Sequence, residues 1–187
     1  MKRVTFFKTF AFFLFLAFAS CSPSEKEDSA EVAQTKNEQN FGTRDGEKEA
    51  DFVVRAVEDH YAEIKLAQLA INKSSDTNLK EIARILEEDN SKVLNELKDL
   101  SYEKGIAIPV EESENIKNEI QDLQKKTQGD FNKDWLKKIR NQHEATMKNF
   151  ESLREKTQDA ELKSWITGTL HHLHSLDSML AYNENLK

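Results

Sequence analysis

From residue 49 onward, apolar side chains recur every three to four positions, and nowhere do they alternate as a strand requires. Val53, Ala56, Val57, Ile64, Ala67 and Ile71 form a first stripe, which predicts a helix over residues 49–72. Ser74-Ser75-Asp76 breaks that helix and caps the next, over residues 77–104, which carries Leu79, Ala83, Leu86, Val93, Leu97 and Leu100 on one face. Gly105 closes it as a left-handed cap, and Pro109 sits in an extended crossing over residues 106–110. A short helix over residues 113–126 presents Ile116, Ile120 and Leu123. Gly129-Asp130 opens a long helix to residue 156 with Trp135, Leu136, Ile139, Met147, Phe150 and Leu153 inward. The last helix, residues 159–182, carries Leu162, Ile166, Leu173, Leu176 and Leu180. Four long stripes joined by tight turns within each pair predict an all-α, antiparallel four-helix bundle with one additional short helix.

The pattern changes upstream. Residues 22–48 hold almost no large apolar side chain and are expected to form an unstructured tether, reaching on the order of 30 Å. Before it stand Lys2, Arg3 and Lys8, an unbroken apolar run over residues 10–19, and Cys21, the chain's only cysteine. Ten apolar residues are too few for a bilayer, which takes about 20, so residues 1–20 are expected to be an export signal. The small residues Ala19 and Ser20 before Cys21 resemble a lipobox, in which the thiol is acylated, as by palmitate, and becomes the new N-terminus. Phe18 stands where lipoboxes usually carry Leu, and Ala17-Phe18-Ala19 offers an ordinary signal peptidase a competing cut that would leave Cys21 a free thiol. Lys26-Glu27-Asp28 reads equally as a surface-sorting signal or as a charged piece of tether. Ser22 after the cysteine agrees with sorting to the outer membrane, on either side of it.

Charge narrows the partners. Removing the signal, with its three bases and no acid, takes the net charge from −7 to −10. So acidic a chain is poorly suited to nucleic acid and to lying flat on an anionic membrane. Contact with the membrane is therefore expected through the lipid anchor alone, and a monomer is expected. A charged fraction of 33% with 5 Gly and 2 Pro fits long solvated helices. With no cysteine after Cys21, the folded part, residues 49–187, must stand on packing without a disulfide.

Candidate chemistry lies in polar residues placed on the apolar stripes. At about 100° per residue, His60 falls mid-stripe on the first helix with Glu63 at its edge. Asn90 falls mid-stripe on the second, with Glu87 one turn earlier. His143 sits between Ile139 and Met147, with Asn132 nearer the start of that helix, and Asp177 lies beside Leu173 and Leu180. Burying such groups unpaired costs several kcal/mol, so they are expected to meet in a shared polar layer. Di-metal carboxylate sites are also built from inward Glu and Glu-x-x-His on facing helices, which makes Glu63, His143, His60 and Glu87 candidate ligands of a transition metal. In Glu87-x-x-Asn90, however, Asn stands where a ligating His would be. His171 and His174 share an outward face, too few to build a structural zinc site. There is no Gly-rich phosphate loop, G-x-S-x-G elbow or CxxC pair, so no catalytic residue is assigned.

Asp51-Phe52-Val53 with Ala56, Ala62-Glu63-Ile64 with Leu66, Leu69 and Ala70, Asp89-Asn90, Leu94-Asn95-Glu96-Leu97, Gly105, Pro109, Gly129-Asp130-Phe131-Asn132, His143, Phe150 and Thr169-Leu170 together resemble the bacterial domain of unknown function 4142. This group of exported helical proteins implies a ferritin-like arrangement of the bundle. The family pattern has Asp-His at Asp89-Asn90, Phe-Asp at Phe131-Asn132, a His near Leu176 and a Pro at His171. Glu63 and His143 keep to it. The resemblance brings no activity with it. Two readings follow: a non-catalytic outer-membrane lipoprotein with a binding or stress-protection role in the envelope, or a ferritin-like metal-binding or oxidoreductase protein whose inter-helix site is degenerate.

Overall fold

The computed structural model describes residues 28–184, which form six helices; none of the described residues is in a strand. The export segment, Cys21 and residues 22–27 lie outside the described residues. Four long helices carry the apolar stripes: α2 (Arg44–Lys73), α3 (Thr77–Lys104), α5 (Gln128–Lys156) and α6 (Ala160–Glu184). Two short ones, α1 (Ser29–Asn40) and α4 (Glu114–Lys125), lie against them. Among the described residues no helix is long and apolar enough to cross a membrane.

The termini follow local chemistry. Asp76 caps α3 by accepting the Leu79 N–H at 3.1 Å. Gly105 ends α3 at φ 66°, the left-handed region where a Cβ is penalised. Asp159 accepts the Leu162 N–H at 2.9 Å and starts α6, and its other oxygen meets the Lys104 ammonium at the end of α3.

Cross-helix contacts fix the directions. Thr157 at the end of α5 bonds Glu49 near the start of α2, and Ser74 at the end of α2 bonds Asn132 near the start of α5. These two helices are therefore antiparallel. Lys104 with Asp159 at one end and Asn78 with Asn183 at the other make α3 and α6 antiparallel. With tight turns joining α2 to α3 and α5 to α6, the order of directions is up, down, down, up. The single long connection, residues 105–127, runs back along the length of the bundle and carries α4 against α2 and α5.

Two apolar clusters fill the interior. One gathers Val57, Leu97, Phe150, Leu162 and Ile166 with their neighbours. The other gathers Leu66, Leu86, Trp135, Ile139 and Leu180 with theirs. On three of the long helices the residues between the two clusters are where the polar side chains stand: His60 and Glu63 on α2, Asn90 on α3, His143 and Thr146 on α5.

The tether is where the structure departs from the sequence expectation. Of residues 22–48, those from Ser29 to Asn40 form α1, and α2 begins at Arg44, five residues before the expected start. Asp28 caps α1 through the Ala30 N–H at 2.9 Å, and Thr43 caps α2 through the Gly46 N–H at 3.2 Å. Ala30 and Ala33 pack on Val54 and Ala107. Asn37, only 2% exposed, donates to the Ala107 carbonyl at 2.9 Å and accepts the Ala107 N–H at 2.8 Å. A carboxamide thus satisfies both backbone groups of one residue in the extended crossing. The segment is held by small side chains and hydrogen bonds, which hydropathy does not register.

Replacing Asn37 with Ala leaves the Ala107 N–H and carbonyl unpaired. Chemical denaturation should show a loss of about 1–3 kcal/mol, and the amides of α1 should exchange faster with deuterium. Unchanged stability and exchange would show α1 to be held by other contacts.

Candidate polar centre

His143 and Glu63 meet at the middle of the bundle, both side chains 0% exposed. His143 Nδ1 donates to Glu63 Oε2 at 3.1 Å, and Nε2 donates to the Leu173 carbonyl of α6 at 3.0 Å. A carboxylate and a carbonyl can only accept, so both ring nitrogens carry protons and the ring is an imidazolium. Burial alone pushes His143 toward the neutral form, but the Glu63 bond and charge and the Leu173 carbonyl outweigh it, and its pKa lies above the usual value. Burial likewise pushes Glu63 up, and the bond and charge of His143, the His60 ring and the Thr146 hydroxyl reverse it, leaving its pKa below the ordinary carboxylate value. One ion pair links α2, α5 and α6.

His60 and Asn90 join α2 to α3. The Asn90 amide donates to the Leu86 carbonyl at 2.8 Å, one turn back on its own helix, which turns Oδ1 toward His60 Nδ1 at 2.6 Å. His60 therefore carries its proton on Nδ1, and its Nε2, fully buried, has no hydrogen-bond partner. Burial lowers the His60 pKa, more than Glu63 and Asn90 raise it, and the His143 cation pushes in the same direction as burial. The layer thus holds one charged and one neutral imidazole. The His60 ring stands edge-on to Phe150, centroids 6.0 Å apart.

The other polar candidates separate. Asp177 acts on His143 through its charge from α6, with Oδ1 buried and without a hydrogen-bond partner. Asn132 is not in the layer: eleven residues before His143, about 16 Å along the helix, it accepts from Ser74 at 2.9 Å and closes the α2–α5 corner. Glu87 also stays out, because it lies at the α2–α3 seam and accepts from Gln68 at 2.9 Å. His172 and His174 diverge, toward Asp89 of α3 at 3.2 Å and Glu151 of α5 at 3.7 Å.

Two contributors escaped the sequence reading. Thr146, one turn after His143 on the same face, brings its hydroxyl to 3.1 Å from Glu63 Oε1 and 3.1 Å from the Gln142 carbonyl, with one proton for two acceptors. Asp59, next to His60 in the sequence, is half-buried at the α2–α5 seam. It accepts from Gln142 at 2.8 Å and Asn149 at 3.2 Å. Burial pushes its pKa to about 7, with the charges of Glu63 and Glu58 adding to the rise against those two bonds.

This donor set does not fit a transition metal. A ligating imidazole must offer a lone pair, and both His143 nitrogens are already donating. Glu63 is engaged at both oxygens, Glu87 faces another seam, and of the two ring systems only His60 Nε2 has an uncommitted pair. Among the described residues no group of three or more His, Cys, Asp and Glu side chains is placed to share a metal ion.

A family model described as a domain of unknown function, DUF4142, matches residues 30–181, and the chain belongs to that family. The match begins inside α1, so the family's domain includes the helix that the sequence reading had assigned to the tether. No curated protein and no solved structure matches the chain.

Glu63→Gln keeps the shape and removes the counter-charge. Glu63, with its pKa lowered, contributes stability that is complete above about 4.5 and is lost as pH falls through its folded value. His143, with its pKa raised, contributes stability that is complete below about 6.5 and is lost as pH rises through its folded value. The stability difference between wild type and E63Q should thus peak between about pH 4.5 and 6.5, at about 3–5 kcal/mol, and shrink on either side. Urea denaturation across pH 3–10 measures it. A difference independent of pH would mean that the pair is not ionic.

Proposed function

We propose that this member of the family is an outer-membrane lipoprotein and a monomer, whose ferritin-like bundle acts without catalysis in envelope binding or stress protection. Its buried polar centre sets the register of the helices instead of holding a metal. The observation that carries this reading is His143, whose two ring nitrogens both donate to protein oxygens. The ferritin-like arrangement is supported by four long helices running up, down, down, up with one long crossover, the connectivity of that fold class. The anchor is supported by the basic start, the apolar run and Cys21 after two small residues. Stable attachment takes more than one acyl chain, which a lipobox cysteine acylated on both sulfur and nitrogen would supply.

One observation favours the metal-binding or oxidoreductase reading. His60 Nε2 is fully buried with an uncommitted lone pair, close to the Glu63–His143 pair. A single imidazole is not a site, so a metal would also require His143 to release a proton and the pair to rearrange.

Metal analysis separates the two. Protein purified without chelator should carry substoichiometric metal, and its circular dichroism and thermal transition should be unchanged in chelator, because packing supplies the fold. Stoichiometric tightly bound iron, manganese or zinc, or unfolding on chelation, would establish the alternative. For the anchor, wild type should partition into the detergent phase, and Cys21→Ala should leave it or stay unprocessed. Wild type recovered in the soluble periplasm, cut before Ser20, would remove the lipoprotein reading.

A further inference from the structure

The α3–α6 seam is the loosest of the four between neighbouring long helices, and it opens into a groove of about 480 Å³. Its floor is apolar: Val93 from α3, and Trp165, Gly168 and Thr169 from α6. The Trp165 indole is fixed on two sides. Its N–H donates to Glu96 Oε2 at 3.0 Å, and its ring lies against Phe150 with centroids 5.7 Å apart.

Gly168 is the residue that packing does not explain. It lies inside α6, where glycine is the poorest helix former after proline, and its φ is not positive. A Cβ placed there would meet nothing within 4 Å. Neither backbone conformation nor a close approach requires glycine at this position. What it does is leave the floor of the groove bare beside a held indole.

The walls are polarised along the groove. Because α3 and α6 are antiparallel, with Glu96 opposite Trp165 and Asp89 opposite His172, Glu161 and Glu96 lie toward one end and Lys92 and His172 toward the other. His172 is engaged with Asp89, whereas the Lys92 ammonium forms no ion pair among the described residues. At 1.5 Å per residue, Glu161 and His172 are about 16 Å apart along α6.

We propose that this groove binds a short apolar peptide of about four residues with free termini. The ammonium end would lie at Glu96 and Glu161, the carboxylate end at Lys92, and the apolar side chains against Trp165 and the bare turn at Gly168. Four extended residues span about 13 Å, and a pocket of this volume between helices falls in the range of small-ligand sites. The charge arrangement selects this ligand class: an apolar molecule leaves both ends unanswered, and a simple cation or anion answers one end and is repelled at the other. The inference uses neither the lipid anchor nor the polar centre, so it holds or fails independently of the proposed function.

Trp135 is fully buried and Trp165 half-buried, so a quench or shift of tryptophan emission reports the groove. The full-length chain in detergent is titrated with the tetrapeptide Leu-Phe-Leu-Leu, with free termini or acetylated and amidated. The free peptide should change the emission saturably, and the blocked one should bind at least about tenfold more weakly, as expected when charged ends lose their partners. Gly168→Leu should abolish binding while raising Tm by about 2–4 °C, because it improves the helix and fills only the groove. Lys92→Gln, on an exposed side chain, should weaken the free peptide and leave the blocked one unaffected. No saturable response, equal binding of both peptides, or wild-type binding by G168L would each overturn the proposal.

Discussion

A carboxylate and an imidazolium sealed in the middle of a helical bundle constrain everything packed around them. Desolvating two ions costs several kcal/mol each, and the attraction between them offsets this only when the geometry is good and the remaining protons and lone pairs are matched. Here they are matched from three helices: Glu63 on α2, His143 and Thr146 on α5, and the Leu173 carbonyl on α6. Sliding α5 by one turn would put Ile139 or Met147 where His143 stands, and the Glu63 charge against hydrocarbon. The apolar clusters on either side supply most of the burial energy, but Leu, Ile and Val pack in many registers. The ion pair is compatible with one.

The same logic extends to α3 without a second charge. The Asn90 amide is committed to the Leu86 carbonyl, so its oxygen can only accept, and His60 must present its proton from Nδ1. Full burial, with the nearby His143 cation adding to it, holds the His60 pKa below its usual value. One imidazole is thus held charged and the other uncharged within a single layer, by acceptors on one side and by burial and like charge on the other. Outside the layer, Asp59 accepts from Gln142 and Asn149 at the α2–α5 seam. Its pKa is pushed up to about 7 chiefly by burial, with the charges of Glu63 and Glu58 adding to the rise.

The long helices were legible in the sequence because their stripes are continuous, and so were the inward positions of His60, Glu63, Asn90 and His143, which fall mid-stripe or at its edge. Two kinds of feature were not legible. Height along the bundle was one: Asn132 shares a face with His143 but lies three turns away, and helical phase carries no information about which level of one helix meets which level of another. Glu87 was misplaced for a related reason, since an edge position can belong to either seam. The other was structure built from small and polar groups. The Ala30 and Ala33 contacts and the two Asn37 bonds that make α1 part of the domain involve side chains that hydropathy scores as linker. Thr146 could have been found as the residue one turn after His143 on the same face.

Asn90 is the residue that decides what kind of centre this is. A His at this position, one turn after Glu87, would complete a Glu-x-x-His pair and turn a ring nitrogen inward. A His at position 90 would face His60 with either a lone pair or an N–H, and two facing lone pairs would require a proton or a metal between them. Asn removes that requirement: its oxygen accepts, its nitrogen is taken up by its own helix, and the His60 proton is the one thing shared. The lone pair left over, on His60 Nε2, points to no partner. On α3 the centre is closed by an amide, and the charge that remains, Glu63 with His143, is satisfied by protein alone.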